Sequence, residues 1–524
     1  MDEPGAGRRL AWSTAIFSLA TGVSRILGLV REIVARRYFG VEGQINAFTV
    51  AFQVPNLVRA LVADAALSSA FVPVFSELLE KGQRARAWRV ASTLFWLLLL
   101  GLTGVTALFV LLAPLVMRPF GLPEGYDSLA VTLSRILFPI VALLGVSGIV
   151  VGILNSYEHF SVPALTPVFW NLAIIVGLVV GVPRADSADS KLYVYAVSIL
   201  VGTVIQVLLP VPWLRGRDDR LRLLIDWRDP AVKQTFVLMV PVMLGLGLIN
   251  VNTVIGTLFA SRYIDPTISP SAIDAAFRIY MLPQGMFSVA VATVLFPSLA
   301  RFAARRDVDG FRHTVGLGIR QIAFLLVPAS AICAVLAEPI VRLLYQRGEF
   351  GAIETTVVAG ALAAFSLGLA FNGVMLMLNR GFFGLQLPWI PTAVALGNLV
   401  LNVALYAAFY RVGTWGIPLA ISIANIASTA ALLLMLKRRL GRIEFGETSR
   451  AVALVTVASA ALAGIAYVTW WGLDEALGRS GGAQILSLGT ALLAGTVAYF
   501  VSCRLLGVRE LDALLALRRR RSGG

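Results

Sequence analysis

The chain has 524 residues, 58% of them hydrophobic and only 14% charged, which excludes an ordinary soluble globular protein. Its formal net charge of +15 would suit a nucleic-acid-binding protein, but the cations are distributed along the chain in a way that argues against that class. The composition therefore indicates a polytopic membrane protein.

Apolar segments follow one another along the whole chain. About twenty apolar residues are needed to cross the roughly 30 Å hydrocarbon layer as a helix. We therefore predict an all-α fold with fourteen membrane-spanning helices, at residues 11–30, 45–72, 90–117, 129–153, 163–181, 192–214, 234–259, 275–299, 314–337, 355–378, 388–410, 415–436, 450–472 and 483–506. The second and eighth segments carry charge and proline (Pro55, Arg59 and Asp64; Arg278 and Pro283), and we expect them to be broken where they line a cavity.

The basic residues alternate between the two sides that these segments define. Of the 44 lysines and arginines, 28 fall at the termini and in the even-numbered connections, ten in the odd-numbered connections and six at membrane depth. Because cytoplasmic loops collect lysine and arginine, both termini are predicted to be cytoplasmic. The charge then requires no nucleic acid, and the basic C-terminal tail is expected to lie near anionic membrane lipids.

Two short motifs recur at one spacing. Asn155, with Pro163 further along, and Asn379, with Pro388 further along, lie 224 residues apart. The prolines of Phe71-Val72-Pro73 and Leu295-Phe296-Pro297 have the same spacing. Such a unit holds six predicted helices. We therefore predict a six-helix lobe at 1–224, a second at 225–448, and two extra helices with a basic cytoplasmic tail at 449–524. Transporters commonly place the substrate between such repeats.

Four arginines interrupt or border the predicted spans: Arg25, Arg31, Arg59 and Arg278. A charged side chain at the bilayer centre costs at least about 2.5 kcal/mol, so it normally faces a protein interior or a wet cavity and marks a substrate route. A cavity lined by these cations would attract an anion. Since guanidinium groups donate paired hydrogen bonds to phosphate oxygens, a diphosphate headgroup fits better than a carboxylate.

Structural roles for the same arginines stay open. Arg31 is close to a helix end and could extend to the membrane interface. Arg59 could form an ion pair with Asp64 about one helical turn away. Arg278 follows Asp274 by four residues, which permits a pair on the same helix face.

Several ordered motifs resemble a known family. The stretches 24–32 (SRILGLVRE), 38–40 (YFG), 46–48 (NAF), 55–59 (PNLVR) and 70–73 (AFVP) resemble the N-terminal signature of the MurJ (MviN) lipid II flippases, and 278–283 with 295–298 resemble their eighth-helix signature. The resemblance implies the multidrug/oligosaccharidyl-lipid/polysaccharide exporter fold, with two six-helix lobes around a cavity and two further helices beside the lipid tail. It also implies that Arg25, Arg31, Arg59 and Arg278 bind the substrate.

The chain departs from the family pattern at two positions. The family usually has an acidic residue where this chain has Asn46, and an aspartate directly before the eighth-helix arginine, where this chain has Phe277. We therefore expect Asn46, with Asp64, to modulate the charge of the cavity. Some members bind sodium in the second lobe, which makes Asn250, Asn398 and Asn402 a possible cation site, or else amides that only pack helices.

The resulting expectation is a transporter that moves the polyprenyl-diphosphate-linked peptidoglycan precursor lipid II from the inner to the outer leaflet of the bacterial cytoplasmic membrane by alternating access. A flippase for another polyprenyl-diphosphate glycan and a drug/cation antiporter of the same superfold are the alternatives. The sequence contains no nucleotide-binding loop, zinc-protease motif or nucleophile elbow. Coupling to Na⁺, to H⁺ or to the membrane potential is expected, and other cell-wall synthesis proteins are possible partners.

Overall fold

The structure is a computed structural model that describes residues 6–61, 66–159, 161–441 and 445–511. Every regular element in these ranges is helical, which confirms the predicted all-α membrane fold. The chain forms two compact units, 1–270 and 271–524.

The first unit contains nine helices among the described residues: α1 Ala6–Phe39, α2 Ile45–Arg59, α3 Ala66–Glu80, α4 Arg84–Met117, α5 Tyr126–Leu137, α6 Pro139–Ser156, α7 Ser161–Val176, α8 Ala188–Leu208 and α9 Pro230–Phe259. In it, α1 packs against α7, α2 against α5, and α4 against α6. Helix α9 packs on α2, α3 and α4.

The second unit contains nine more helices among the described residues: α10 Ser269–Pro283, α11 Val289–Ala304, α12 Val308–Val335, α13 Ala337–Tyr345, α14 Ala352–Gly384, α15 Trp389–Phe409, α16 Gly416–Leu440, α17 Phe445–Leu477 and α18 Gly481–Leu505. Here α14 packs against α12 and α16, while α17 packs against α18 and α12. Within the second unit, the last two helices therefore pack on the other helices through the contact of α17 with α12.

Eleven helical segments of the described residues are long and apolar enough to cross a membrane. They coincide with eleven of the fourteen predicted spans, so the chain is a multi-pass membrane protein. The other three predicted spans fall on α1, on α2 with α3, and on α9, each of which includes residues whose backbone or side chains lie outside the described set. The count of fourteen therefore stays a prediction.

The repeat in the sequence also appears in the order of the helices. Helix α2 begins at Ile45 and α10 at Ser269, 224 residues later, and α4 and α12 begin at Arg84 and Val308 with the same spacing. The compact units separate at residue 270, and α9 belongs to the first unit. This division does not test the predicted lobe boundaries, which stay a prediction.

The eighth predicted span contains an irregular turn. Helix α10 ends at Pro283, and a π-helical turn at Gln284–Ser288 precedes α11. Proline lacks the backbone N–H that an α-helix needs and its ring crowds the preceding turn, so the hydrogen-bond register changes there. π turns of this kind often lie at functional sites. The eighth span is thus irregular from six residues after Arg278, but it is one continuous helical segment, Ser269–Ala304, rather than a broken one.

Large apolar side chains on α4 face outward rather than into the unit. Leu111, Leu115 and Leu100 keep 74%, 64% and 59% of their surface exposed. In water this surface would be costly, whereas in a bilayer it contacts lipid chains. The exposed face of α4 is therefore the lipid-facing side of the span.

Helices α14 and α16 approach each other closely at a glycine. A Cβ atom added at Gly368 would lie 2.7 Å from the Cα atom of Ser422. The Ser422 hydroxyl also donates to the carbonyl oxygen of Ala364 at 2.7 Å. Small residues that let helix backbones meet, supported by a hydroxyl hydrogen bond, are the usual means of helix association in membranes.

Buried arginines fix the last two helices to the second unit. Arg320 of α12 contacts Glu510, after α18, at 3.1 Å between Nε and Oε1, and donates to the hydroxyl of Thr448 of α17 at 3.4 Å. Arg342 of α13 contacts Asp474, near the far end of α17, at 3.0 Å. Arg320 thus connects α12 to α17 and to the segment after α18.

Candidate functional site

Helix α1 presents two arginines in different environments. The Arg25 side chain is exposed and has no hydrogen bond or ion pair with any residue that the structure describes. Arg31, almost two turns further along, is only 9% exposed. Arg25 therefore has donors available for a ligand, whereas Arg31 is held by the protein.

Three interactions hold Arg31 in place. Its Nη1 donates to Oδ1 of Asn171 at 3.2 Å, and its guanidinium lies 4.7 Å from the centre of the Trp170 ring. Glu32 approaches it to 4.0 Å, but is itself bound by Arg36 at 2.8 Å. The Arg31 guanidinium is therefore buried and held by the protein, rather than extended to the membrane interface.

Helix α7 supplies the residues that orient Arg31, and sequence analysis missed them. Asn171 donates to the carbonyl oxygens of Pro167 at 2.9 Å and of Ser24 at 3.4 Å. Trp170 donates from its indole to the hydroxyl of Thr203 at 3.1 Å, which fixes its ring. A signal was present, since an amide beside a tryptophan in an apolar span is a polar group that needs a partner.

Arg59 lies at the end of α2 and has a local partner. Its Nε and Nη2 both donate to Oδ1 of Asn56, at 3.1 and 2.9 Å. The predicted pair with Asp64 concerns a residue outside the described part of the chain. Asn56, about one helical turn before Arg59, thus fixes the position of the Arg59 guanidinium.

Arg278 of α10 forms the predicted pair with Asp274. The distances are 3.0 Å from Nε to Oδ2 and 3.3 Å from Nη2 to Oδ1. The neighbouring Phe277 packs against Tyr280 and Phe365, with ring centres 5.7 and 5.6 Å apart. Asp274 therefore holds the Arg278 guanidinium, while Phe277 belongs to a group of aromatic rings from α10 and α14.

Asn46 is fully buried at the start of α2. Its Nδ2 lies 2.9 Å from the carbonyl oxygen of Val41 and 3.0 Å from that of Gly43, and it also bonds to the carbonyl oxygen of Thr267. These contacts join the loop before α2 to the loop after α9. Its influence on cavity charge stays a prediction, and its contacts are those of a structural residue.

The candidate cation-binding amides fall into two groups. Asn250 belongs to α9 in the first unit, whereas Asn398 and Asn402 belong to α15 in the second. Asn402 is fully buried and donates to Asn398 at 2.8 Å, and Asn398 donates to Ser428 at 2.8 Å. The Asn402 Oδ1 atom has no hydrogen-bond partner among the described residues.

No group of three or more His, Cys, Asp or Glu side chains suited to a metal occurs in the described ranges. Of the three candidate amides, Asn402 has a buried oxygen without a hydrogen-bond partner among the described residues, and a single neutral oxygen binds a cation weakly. The proposed Na⁺ or H⁺ coupling therefore stays a prediction.

Comparison with solved structures shows which fold the chain has. The chain is similar to an inward-facing multidrug resistance MATE family transporter of the MOP superfamily, with a TM-score of 0.69 and 17% identity over 80% of this chain and 95% of that one. A structure of the lipid II flippase MurJ in an inward closed conformation matches with a TM-score of 0.78 and 24% identity over 94% and 99%. The chain therefore has the fold that these two structures share.

Sequence comparison identifies the family. The sequence model described as "Lipid II flippase MurJ" matches residues 35–499. The "Lipid II flippase MurJ" of Burkholderia cenocepacia is 31% identical over 80% of this chain and 82% of its own. A Vibrio cholerae protein described as "Probable lipid II flippase MurJ" is 31% identical over 98% and 99%. The chain belongs to the MurJ family of lipid II flippases, and it is a transporter rather than an enzyme.

Proposed function

We propose that this chain flips lipid II from the inner to the outer leaflet by alternating access, with Arg25, Arg59 and Arg278 binding its diphosphate. The exposed Arg25 supports this most directly, because its guanidinium has no polar partner among the described residues. A cation within a predicted span that lacks a protein partner is costly unless an anionic ligand or water meets it. The diphosphate of a lipid-linked glycan is such an anion.

The arginines have different roles in this proposal. Arg25 contacts the phosphate oxygens without competition from the protein. Asn56 and Asp274 hold the guanidinium groups of Arg59 and Arg278, so the diphosphate shares these two cations with the protein. Arg31 acts mainly through its positive charge, since Asn171 occupies one of its donors.

The decisive experiment is a flipping assay on arginine variants in vesicles. Arg25→Ala should lower transport by roughly tenfold or more, because a hydrogen bond to a charged group contributes about 1.5–3 kcal/mol. Arg25→Lys should restore it only in part, since the paired donor geometry is lost. Arg135→Ala is the matched control: Arg135 of α5 is exposed, and among the described residues it donates to the carbonyl oxygen of Val110 at 3.0 Å.

Full transport by the alanine variants of Arg25, Arg59 and Arg278 would contradict the diphosphate role. A second experiment addresses the glycan, because a flippase for another polyprenyl-diphosphate glycan would use the same cations. The chain should restore growth of a bacterium depleted of its own lipid II flippase. Failure to do so, with transport of a different diphosphate-linked glycan, would assign that glycan instead.

The energy source in this proposal is an ion gradient or the membrane potential. The sequence has no recognisable nucleotide-binding loop. A potential contributes about 2.3 kcal/mol per elementary charge per 100 mV. Imposing a potential, a Na⁺ gradient or a pH gradient separately on the same vesicles will identify which one drives transport.

We further propose that the protein lies in the bacterial cytoplasmic membrane with both termini in the cytoplasm. The distribution of 28 cations on one side and ten on the other supports this topology. Reporter fusions after residues 85, 225 and 308 should report the cytoplasm, and fusions near 122, 186 and 267 the outside; reversal at two sites would contradict it. The enzymes that make and consume lipid II are the proposed functional partners.

A further inference from the structure

A groove of 660 Å³ lies on the first compact unit, beside the start of α9. Its lining comes from α4, from the segment before α9 and from the first turns of α9: Leu97, Trp227, Arg228, Val232, Lys233, Phe236, Val237 and Val240. None of these residues belongs to the proposed substrate site. The groove is apolar along its length and carries two cations.

Polar contacts fix the walls of this groove. Arg86 in the first turn of α4 forms a bidentate pair with Asp229, the N-cap of α9, at 2.9 and 3.0 Å. The segment before α9 is attached to α4 as well, because the backbone N–H of Asp226 donates to the hydroxyl of Thr93 at 3.0 Å. Helices α4 and α9 therefore begin at the same end of the unit, and the groove is formed without a ligand.

The floor of the groove suits a hydrocarbon chain. Val237 and Val240 keep 61% and 53% of their surface exposed, and Trp227 at the entrance keeps 66%. From Val232 to Val240 the groove follows α9 for about 12 Å, which is less than half of the roughly 30 Å hydrocarbon layer. That length matches the upper part of an acyl chain, and tryptophan is typical of the membrane interface.

The entrance of the groove suits a phosphate. Arg228 and Lys233 are exposed, and no carboxylate of the described residues pairs with either. The Arg228 guanidinium lies 5.4 Å from the centre of the Trp227 ring, which keeps it beside the entrance. Six basic residues occur between Arg215 and Lys233, so this end of the unit is positive. Basic pockets beside membrane helices at the cytoplasmic face attract anionic headgroups.

We propose that this groove binds one anionic glycerophospholipid of the surrounding leaflet. The lipid phosphate contacts Arg228 and Lys233, and one acyl chain lies along Val237 and Val240. The positive entrance selects a net negative headgroup over a zwitterionic one. This site is distinct from the arginines proposed to bind the transported diphosphate, and the proposal does not depend on their role.

The test uses the purified full-length protein titrated with dioleoylphosphatidylglycerol or dioleoylphosphatidylcholine, with bound lipid counted by native mass spectrometry. Phosphatidylglycerol should bind more tightly. The double variant Arg228→Gln/Lys233→Gln should weaken its binding by roughly tenfold to thirtyfold, since each cation near an anionic headgroup contributes severalfold. The matched control Arg215→Gln/Arg220→Gln removes the same charge from exposed residues that do not line the groove, and should retain the affinity.

A second variant tests the apolar part. Val237→Trp fills the groove without a change of charge, and should weaken binding of both lipids. Equal binding of the two lipids by the unmodified protein, or an equal loss in the control variant, would overturn the proposal. Displacement of the bound lipid by a polyprenyl diphosphate would assign the groove to the substrate instead. A dimer that Val237→Trp converts to monomers would assign it to a second copy of the chain.

Discussion

Replacing Asp274 by asparagine tests how this chain balances the charge of Arg278. The carboxylate contacts the guanidinium through both oxygens, at 3.0 and 3.3 Å. If Arg278 binds the diphosphate, the ligand must share the guanidinium with Asp274 and is repelled by its charge. Asparagine has nearly the same shape and keeps one acceptor oxygen, so Asp274→Asn should tighten binding of the diphosphate.

The size of the effect follows from the geometry. The side chains of Arg278 and Asp274 are 36% and 25% exposed, so water screens the pair. A helical pair of this kind contributes about 0.3–0.5 kcal/mol. Two like charges about 6 Å apart repel by about 0.7 kcal/mol in water and about 2.8 kcal/mol at an effective dielectric constant of 20. A combined gain of about 1–2 kcal/mol corresponds to roughly fivefold to thirtyfold tighter binding.

The assay is equilibrium binding of a radiolabelled polyprenyl diphosphate to the purified protein in lipid nanodiscs. The gain should shrink as salt is added, because screening weakens the repulsion. Asp309→Asn is the matched control, since Asp309 pairs with Arg312 in the same unit at 2.9 Å and is not a proposed site residue. Unchanged or weaker binding by Asp274→Asn, or an equal gain in the control, would refute the reasoning.

Three further predictions concern the contacts that position the site and the helices. Arg320→Met or Glu510→Gln alone should destabilise the protein by about 3–5 kcal/mol, because each leaves the other side chain of the buried pair without its partner. The measurement is a double-mutant cycle by thermal unfolding, and a cycle that shows no coupling between the two residues would contradict this. Asn171→Leu removes the acceptor of the Arg31 guanidinium on α1 and should lower diphosphate binding by roughly tenfold. Wild-type affinity in this variant would show that binding does not need the contact between Arg31 and Asn171. A hydrogen bond from Arg86, in the first turn of α4, lowers the pKa of Asp229, so the stability that this contact adds should be complete above about pH 4 and decline as the pH falls further. Asp229→Asn should be less stable than wild type at neutral pH, and unfolding curves should show the difference shrinking as the pH is lowered below about 4.

Much of the fold follows from hydrophobic segment length and the position of proline. The segment lengths predicted the spans that α4 to α8, α10 to α12 and α14 to α18 occupy, and the prolines predicted the irregular eighth span near Pro283. The four-residue spacing of Asp274 and Arg278 permits the ion pair that the structure contains, because residues at i and i+4 share a helix face. These features are local in sequence, and local geometry determines them.

Contacts between distant parts of the chain could not be read in the same way. Arg31 and Asn171 are 140 residues apart, and only the packing of α1 on α7 makes them neighbours. In the 224-residue repeat α9 corresponds to α1. However, α1 packs against α7, whereas α9 packs on α2, α3 and α4. The apolar residues of α9 are spread around the helix rather than along one side, so its sequence does not specify which face is buried.

Asn46 stands where the family usually has an acidic residue, and its burial changes the result expected from restoring that acid. From sequence, Asn46→Asp would add a cavity carboxylate that makes transport pH-dependent or pairs with a nearby arginine. In the structure, Nδ2 of Asn46 faces the carbonyl oxygens of Val41, Gly43 and Thr267. A carboxylate has no N–H to donate, so these oxygens would face a buried negative charge. We therefore expect Asn46→Asp to destabilise the protein by several kcal/mol, measured as a lower melting temperature in detergent. Asn46→Asp with wild-type stability and newly pH-dependent transport would show instead that the side chain can turn toward the substrate path.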